Sequence, residues 1–351
     1  MSDTNFSGLT GKEIAGCELI RELGSGSSGV VYLAKQKRLD RFVACKLLHA
    51  ENEEDQSFVN NLFIEARNAA KLAHPNVIQA LDAGVTPDGI YYFLMEFADG
   101  SSLENIRLEH PEIISTKFLL DIALQLAAAM DYAWENFAMT HGDIKPGNML
   151  IRNNDHQLKI CDLGLARSGN SNENDSPDDV MVTPLYAAPE IIRQEKHQPD
   201  PRSDIYSFGV VLYELCCGAA PFQGTLEEIL EGHLQQEPEP LLRQNPDMDR
   251  EMAEFIGKML QKSPDDRPAS WKEVRSVLGA IRKRLYPAVT PALSISGNSS
   301  TDAPQTGMGN SSWSHEFAEK PGYFARHPQA LPTILIAIIA LAIAAIIIQL
   351  L

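Results

Sequence analysis

The sequence predicts an α+β protein of two lobes, strand-rich first and helical second, followed by a single C-terminal membrane helix. Three observations carry this. Strand signals crowd the first hundred residues, in "VVYLA" (Val30 to Ala34), "FVACKLL" (Phe42 to Leu48) and "GIYYFLMEF" (Gly89 to Phe97), with turn residues between them. Helical spacing takes over afterwards: Leu119, Ile122, Leu126, Ala129 and Ala133 recur at steps of three and four, as do the apolar residues of "SDIYSFGVVLYELCCG". Finally "LPTILIAIIALAIAAIIIQLL", residues 331–351, has no charge. As a helix it reaches ~31 Å, about one bilayer core.

Between these parts, residues 286–330 turn to Ser, Gly, Pro, Asn and Thr, a composition too poor in apolar surface to fold, and are expected to form a linker. The expected organisation is a polar segment at 1–16, a folded unit at 17–285, the linker at 286–330 and the membrane helix at 331–351. The opening "MSDTNFSGLTGKE" has no apolar core of a signal peptide. Lys320, Arg326 and His327 precede the span, which under the positive-inside rule puts the folded unit on the cytoplasmic side of a single-pass anchor.

The chain carries 47 acidic residues against 30 Lys and Arg, a net charge of −17. That balance disfavours nucleic-acid phosphate as a partner. Five cysteines, Cys17, Cys45, Cys161, Cys216 and Cys217, are odd in number and scattered, as expected of reduced core residues rather than a disulfide framework or zinc site.

Chemistry-bearing residues follow one another along the chain. "LGSGSSGVV", from Leu23 through Gly24, Ser25, Gly26, Ser27, Ser28, Gly29 and Val30 to Val31, is a G-x-G-x-x-G-x-V stretch between two strand patterns. Glycines there let a hairpin backbone approach phosphate oxygens, whereas a dinucleotide fingerprint would need a helix to follow. In "VACK", Lys46 lies among apolar residues and needs a phosphate or carboxylate to match its charge. The following segment reads as a helix with Val59, Leu62, Ala66, Ala69 and Ala73 on one stripe, and Glu65 beside that stripe is a partner for Lys46.

"HGDIKPGNML" then places Asp143, Lys145 and Asn148 within six residues. An aspartate can accept a hydroxyl proton, a lysine can offset phosphoryl charge, and an asparagine offers a neutral oxygen to a hard cation. In "KICDLG", Asp162 follows a strand and precedes a Leu-Gly pair, as a second metal ligand would.

In this order the motifs resemble the protein kinase family, specifically eukaryotic-like serine/threonine kinases, over about residues 17–284. "TPLYAAPE" (Thr183 to Glu190), "SDIYSFGVVLYEL" (Ser203 to Leu215) and "DDRPAS" (Asp265 to Ser270) extend the resemblance. It implies a two-lobed kinase fold in which Leu23 to Val31, with Ala44, cover ATP. Lys46 would meet the α and β phosphates while pairing with Glu65. Met95 would be the gatekeeper before a hinge at Glu96, Phe97 and Ala98. Asp143 would be the catalytic base, Asn148 and Asp162 would hold Mg2+, and Lys145 places the loop in the serine/threonine class. Thr183 would position Asp143 and the acceptor, Glu190 would pair with Arg267 as a scaffold, and Asp204 would steady the catalytic loop. The implied activity is transfer of the γ-phosphoryl group of ATP to Ser or Thr hydroxyls of protein substrates at a membrane.

Two other readings compete. Small-molecule phosphotransferases of the aminoglycoside and choline type share the H-G-D-x-x-x-x-N stretch but not the A-P-E segment or the helix after it. A pseudokinase would bind nucleotide without transfer, although here every expected ligand position is filled. Ser28 stands where an aromatic residue often caps the phosphates, and "DLG" replaces D-F-G with Leu163. Gly142 stands where many relatives carry the arginine that pairs with a phosphorylated activation loop. The loop already carries Glu173, Asp175, Asp178 and Asp179, so the expectation is an activity that does not depend on loop phosphorylation.

Overall fold

The computed structural model describes residues 8–26, 29–48, 63, 66–162, 183–195 and 199–287. The expected membrane helix at 331–351, most of the linker, Ser27, Ser28, Glu65, Leu163 and the loop through 182 lie outside the described residues.

The first lobe is an antiparallel sheet of six strands: β1 (Glu13–Ile14), β2 (Cys17–Gly26), β3 (Gly29–Gln36), β4 (Arg41–Leu48), β5 (Ala80–Val85) and β6 (Tyr91–Glu96), in the order β1-β2-β3-β4-β6-β5. The strand segments read from sequence coincide with β3, β4 and β6. The period of two along β4 sorts its side chains. Val43, Cys45 and Leu47 face an outer core with Leu19 and Tyr32, while Ala44 and Leu48 face the main core. Lys46 alternates with Ala44 and Leu48, and so lies on the inner face toward the second lobe.

A second sheet of β7 (Gly100–Ser102), β8 (Met149–Arg152) and β9 (Leu158–Ile160) lies at the junction of the lobes. The helices are α1 (66–71), α2 (Leu103–Glu109), α3 (Thr116–Phe137), α4 (Pro189–Ile192), α5 (Pro201–Cys217), α6 (Leu226–Gln235), α7 (Leu241–Gln244), α8 (Arg250–Met259) and α9 (Trp271–Leu285). The predicted α3 stripe, Leu119 to Ala133, is buried throughout, and Ser115 caps the helix by accepting from the Phe118 amide.

On α1 the stripe is shorter than the spacing predicts. The helix stops at residue 71; Ala66 and Ala69 are buried, but Ala73 is exposed and Leu72 takes the inward place. Pro75 biases the residue before it away from helical geometry, so the periodicity outruns the helix. All five cysteines are free, four buried and Cys161 half-buried with its Sγ 3.5 Å from the Asn148 carbonyl.

Two strips of hydrogen bonds join the lobes besides the covalent connection after β6. The Ile78 amide donates to the Ile160 carbonyl and the Ile160 amide to Asn76, each at 2.8 Å. The buried Asn76 side chain donates to Gln125 on α3 and to the Leu158 carbonyl. Beside them, Lys159 on β9 grips both Glu96 carboxylate oxygens at 2.7 and 2.8 Å.

The helical lobe is organised on α5, which is buried along nearly its whole length. The expected scaffold pair is present: Arg267 is fully buried and makes two 2.8 Å bonds to Glu190, with further bonds to the carbonyls of Gln261, Arg202 and Lys262. Burial raises the Glu190 carboxyl, but Arg267 and the Ser203 hydroxyl outweigh it and hold the group below its usual range. A buried pair of this kind contributes little net stability, yet removing one member leaves an uncompensated charge. Replacing Arg267 by Met is therefore expected to destabilise the fold by about 3–5 kcal/mol, read as a lowered urea midpoint, with a smaller loss for Glu190→Gln.

Candidate active site

The site is assembled where the second sheet, α5 and the Thr183 turn meet. After α3, the segment Thr140 to Ile144 crosses the mouth of the lobe junction and enters a short turn at Pro146–Asn148, which leads into β8. Its conformation is fixed from α5. Asp204, wholly buried, accepts from the amides of His141 at 2.6 Å and Gly142 at 2.9 Å. Burial pushes the Asp204 carboxyl up, an effect the two amides only partly offset.

His141 is equally buried and braces the other side of the loop. Its Nδ1 accepts from the Asp143 amide at 3.2 Å, so Nε2 carries the proton and donates to the Cys161 carbonyl at 3.1 Å. One imidazole thereby fixes the spacing between the Asp143 segment and the residue before Asp162. Nothing in the sequence marks His141 for this, since a histidine next to a reactive aspartate reads equally well as a proton carrier.

Asp143, Lys145 and Thr183 form a closed ring. The Thr183 hydroxyl donates to Asp143 Oδ1 at 2.8 Å, Lys145 Nζ reaches Thr183 Oγ1 at 2.8 Å, and the same Nζ is 2.6 Å from Asp143 Oδ2. The buried Asn148 amide donates to the Asp143 carbonyl at 2.9 Å and to Oδ2 at 3.1 Å. With its nitrogen committed, Asn148 has its side-chain oxygen as the group available to a cation.

Across the junction, Lys46 Nζ is 3.1 Å from Asp162 Oδ1. Partial burial raises the Asp162 carboxyl, but Lys46, with His141 and Lys145 farther off, wins and lowers it. Asp162 remains about half exposed, at 47% of its side chain, and takes a left-handed backbone with φ of 58°. The expected Glu65 partner of Lys46 lies outside the described residues; the carboxylate seen on the lysine is Asp162.

The glycine-rich hairpin separates two kinds of glycine. Gly29 has φ of 142°, and a Cβ there would strike the Leu47 carbonyl of the neighbouring strand, so the fold itself requires it. Gly24 is not left-handed and a Cβ would meet nothing within 4 Å among the described residues, so no packing demand accounts for it. Val31 packs on the inner face opposite Lys46, whereas Val30 is buried in the outer core and offers the cleft only its backbone. Ala44 and Met95 are register partners on that inner face, with Ala98 packed against it, and Leu23 is exposed at the rim. Glu96 turns its side chain to Lys159, and its amide donates to the Gln79 carbonyl at 2.9 Å.

Oxygen donors at Asn148 and Asp162, a lysine on the facing strand and an aspartate held by Thr183 suit a nucleotide polyphosphate with a hard cation. The protein kinase domain model matches residues 17–277, most of the chain. The chain belongs to the protein kinase family. Curated proteins that it resembles include bacterial serine/threonine kinases. PrkC of Bacillus subtilis is 36% identical over 74% of this chain and 39% of its own length. PknB of Mycolicibacterium smegmatis is 34% identical over 83% of this chain and 46% of its own. A probable serine/threonine-protein kinase of Clostridium perfringens, CPE1738, is 31% identical over 82% and 40%. The chain thus spans less than half the length of these relatives. Among solved structures, the Mycobacterium tuberculosis PknI kinase domain matches with a TM-score of 0.60 at 24% identity, covering 78% of this chain and 98% of that one, which shows the shared two-lobed fold.

Gly142 has φ of 83°, a conformation that any residue with a Cβ adopts at a cost. Gly142→Ala is therefore expected to lower stability by about 1 kcal/mol and to slow turnover, measured as a shifted denaturation midpoint and a reduced kcat.

Proposed function

We propose that the chain is an ATP- and Mg2+-dependent protein kinase that transfers the γ-phosphoryl group to Ser or Thr hydroxyls. The observation that carries this is the ring of Asp143, Lys145 and Thr183, closed within 2.8 Å, facing the Lys46–Asp162 pair. Phosphoryl transfer passes through a loose transition state, so positioning and charge neutralisation supply most of the catalysis.

In this reading the segment from Leu23 to Val31, with Ala44 and Met95, encloses the nucleotide, and the main chain of Glu96 to Ala98 meets its base. Lys46 takes the α and β phosphates, exchanging one anionic partner for another, with Glu65 as its further partner. Asn148 and Asp162 would hold Mg2+, which neutralises phosphate charge when bound. Among the described residues no trio of acidic, histidine or cysteine side chains forms a metal cage. Phosphate oxygens and water would then complete its shell, as this ion commonly requires.

The acceptor hydroxyl approaches Asp143. Its oxygen bonds the γ-phosphorus, its proton passes to the Asp143 carboxylate, and the bond to the β–γ bridging oxygen breaks to release ADP. Thr183 and Lys145 prevent the carboxylate from rotating, and the Lys145 ammonium offsets charge on the moving group.

Residues 331–351 form the anchor in this reading, with the kinase domain on the cytoplasmic side. Among the described residues no helix is long and apolar enough to cross a membrane, so this part rests on the uncharged run alone. Ending the chain after Arg326 should move it from the membrane pellet to the supernatant; unchanged fractionation would remove the anchor.

Incubating the full chain with labelled ATP and Mg2+ should label either itself or a generic Ser/Thr-containing acceptor such as myelin basic protein. Asp143→Asn and Lys46→Met should each lower transfer by at least about 100-fold, and Thr183→Ala should do more harm than Thr183→Ser. Tight ATP binding by the wild type without transfer would instead identify a pseudokinase.

A further inference from the structure

The turn that carries Thr183 is held from beneath by a buried histidine. Pro184–Tyr186 forms a single short helical turn with Thr183 as its N-cap, so whatever fixes the turn fixes the hydroxyl on Asp143. Two side chains reach it from the helical lobe. Tyr186 donates its hydroxyl to Glu214 on α5 at 2.8 Å. His233 on α6, with no exposed surface, places Nε2 3.0 Å from the Leu185 carbonyl and Nδ1 2.9 Å from the Tyr206 hydroxyl.

The protons follow from the partners. A carbonyl only accepts, so Nε2 carries the hydrogen; Nδ1 is then the acceptor and the Tyr206 hydroxyl donates. Every polar atom of the imidazole is used, in a pocket closed by the Phe222 ring, 5.0 Å away edge-on. Burial holds His233 down to about 4, so it stays neutral and in this tautomer at physiological pH. Lys262, whose charge also disfavours protonation of His233, bonds the Gly232 carbonyl and lies over the Phe222 face.

The same relay reaches the catalytic loop. Tyr206 lies two residues after Asp204 on α5, and Asp204 holds the amides of His141 and Gly142. α5 therefore reaches both halves of the site, the Asp143 loop through Asp204 on the His141 and Gly142 amides and Thr183 through Tyr206 and His233. α6 is otherwise loosely seated: of its ten residues only Gly232 and His233 are buried.

We infer that His233 is a positioning residue for the acceptor side of the site, its Nε2–H holding the Leu185 carbonyl so that the Thr183 turn is presented to Asp143 in one orientation. The inference rests on the kinase reading for its kinetic consequence, but the positioning itself is a property of the turn. ATP lies on the other side of Asp143, against Lys46 and Asp162, and should not sense the change.

The test uses the full chain. In His233→Phe, which keeps a ring but no donor, kcat/KM for myelin basic protein should fall about tenfold, the scale of one unsatisfied buried carbonyl. KM for ATP should stay within about twofold, on the same principle that only lost contacts change binding. His233→Gln, which can place an N–H near Nε2, should recover much of the loss, and Tyr206→Phe should reproduce part of it. Hydrogen exchange supplies a readout that needs no turnover: the Tyr186 and Ala187 amides, bonded to Thr183 and Pro184 carbonyls, should exchange faster in His233→Phe and near the wild-type rate in His233→Gln. Unchanged exchange at these amides, or equal losses for ATP and acceptor with no rescue by glutamine, would overturn the inference. Faster exchange in His233→Phe together with a wild type that transfers no phosphate would instead retain the positioning role and discard the kinase reading.

Discussion

The buried carboxylate of Asp204 is the constraint on which the site depends. It is satisfied by two backbone amides of the loop it serves, at 2.6 and 2.9 Å. Because an unsolvated carboxylate is costly, the loop is not free to drift: leaving would expose an unmet acceptor in the core. Everything downstream inherits this. His141 spans from the held loop to the Cys161 carbonyl, Asn148 ties the far end back to Asp143, and Thr183 closes over the top.

That arrangement puts the Asp143 ring on the helical lobe and Lys46 on the sheet. Lys46 is delivered by strand alternation alone, on the face shared with Ala44 and Leu48. Its present partner, Asp162, belongs to the other lobe. The contact is between two groups that each have a separate destination in the nucleotide-bound reading, phosphate for the lysine and Mg2+ for the aspartate. It keeps both charges matched while the lobes wait.

Much of this was legible in the sequence because it is local. Strand and helix periods gave β3, β4, β6 and α3, motif spacing pointed to Asp143, Lys145 and Asn148, and the family resemblance pointed to Thr183 and the Glu190–Arg267 pair. What escaped depends on long-range register. Val30 and Val31 are adjacent in the motif but face opposite cores, which only the pairing of β3 with β4 decides. Ala73 matched the helical stripe until Pro75 ended it. His141, His233 and Lys159 act through partners 20 to 63 residues away, and no local pattern announces such bonds. Gly142 carried a regulatory meaning in the sequence; the backbone adds a second one, since its φ of 83° suits glycine whether or not a phosphate is ever nearby.

The strip joining residues 76–78 to Leu158–Ile160, reinforced by Lys159 on Glu96, means that the lobes share two seams rather than a single strap. A body attached along two neighbouring seams keeps one easy rotation and loses the sideways glide and twist that a single strap would allow. For a nucleotide bound between the lobes, as the proposed function has it, entry and exit would resemble the opening of a book at its spine. Lys46 and Asp162, 3.1 Å apart across the lobes, would part and meet again as the book opens and shuts.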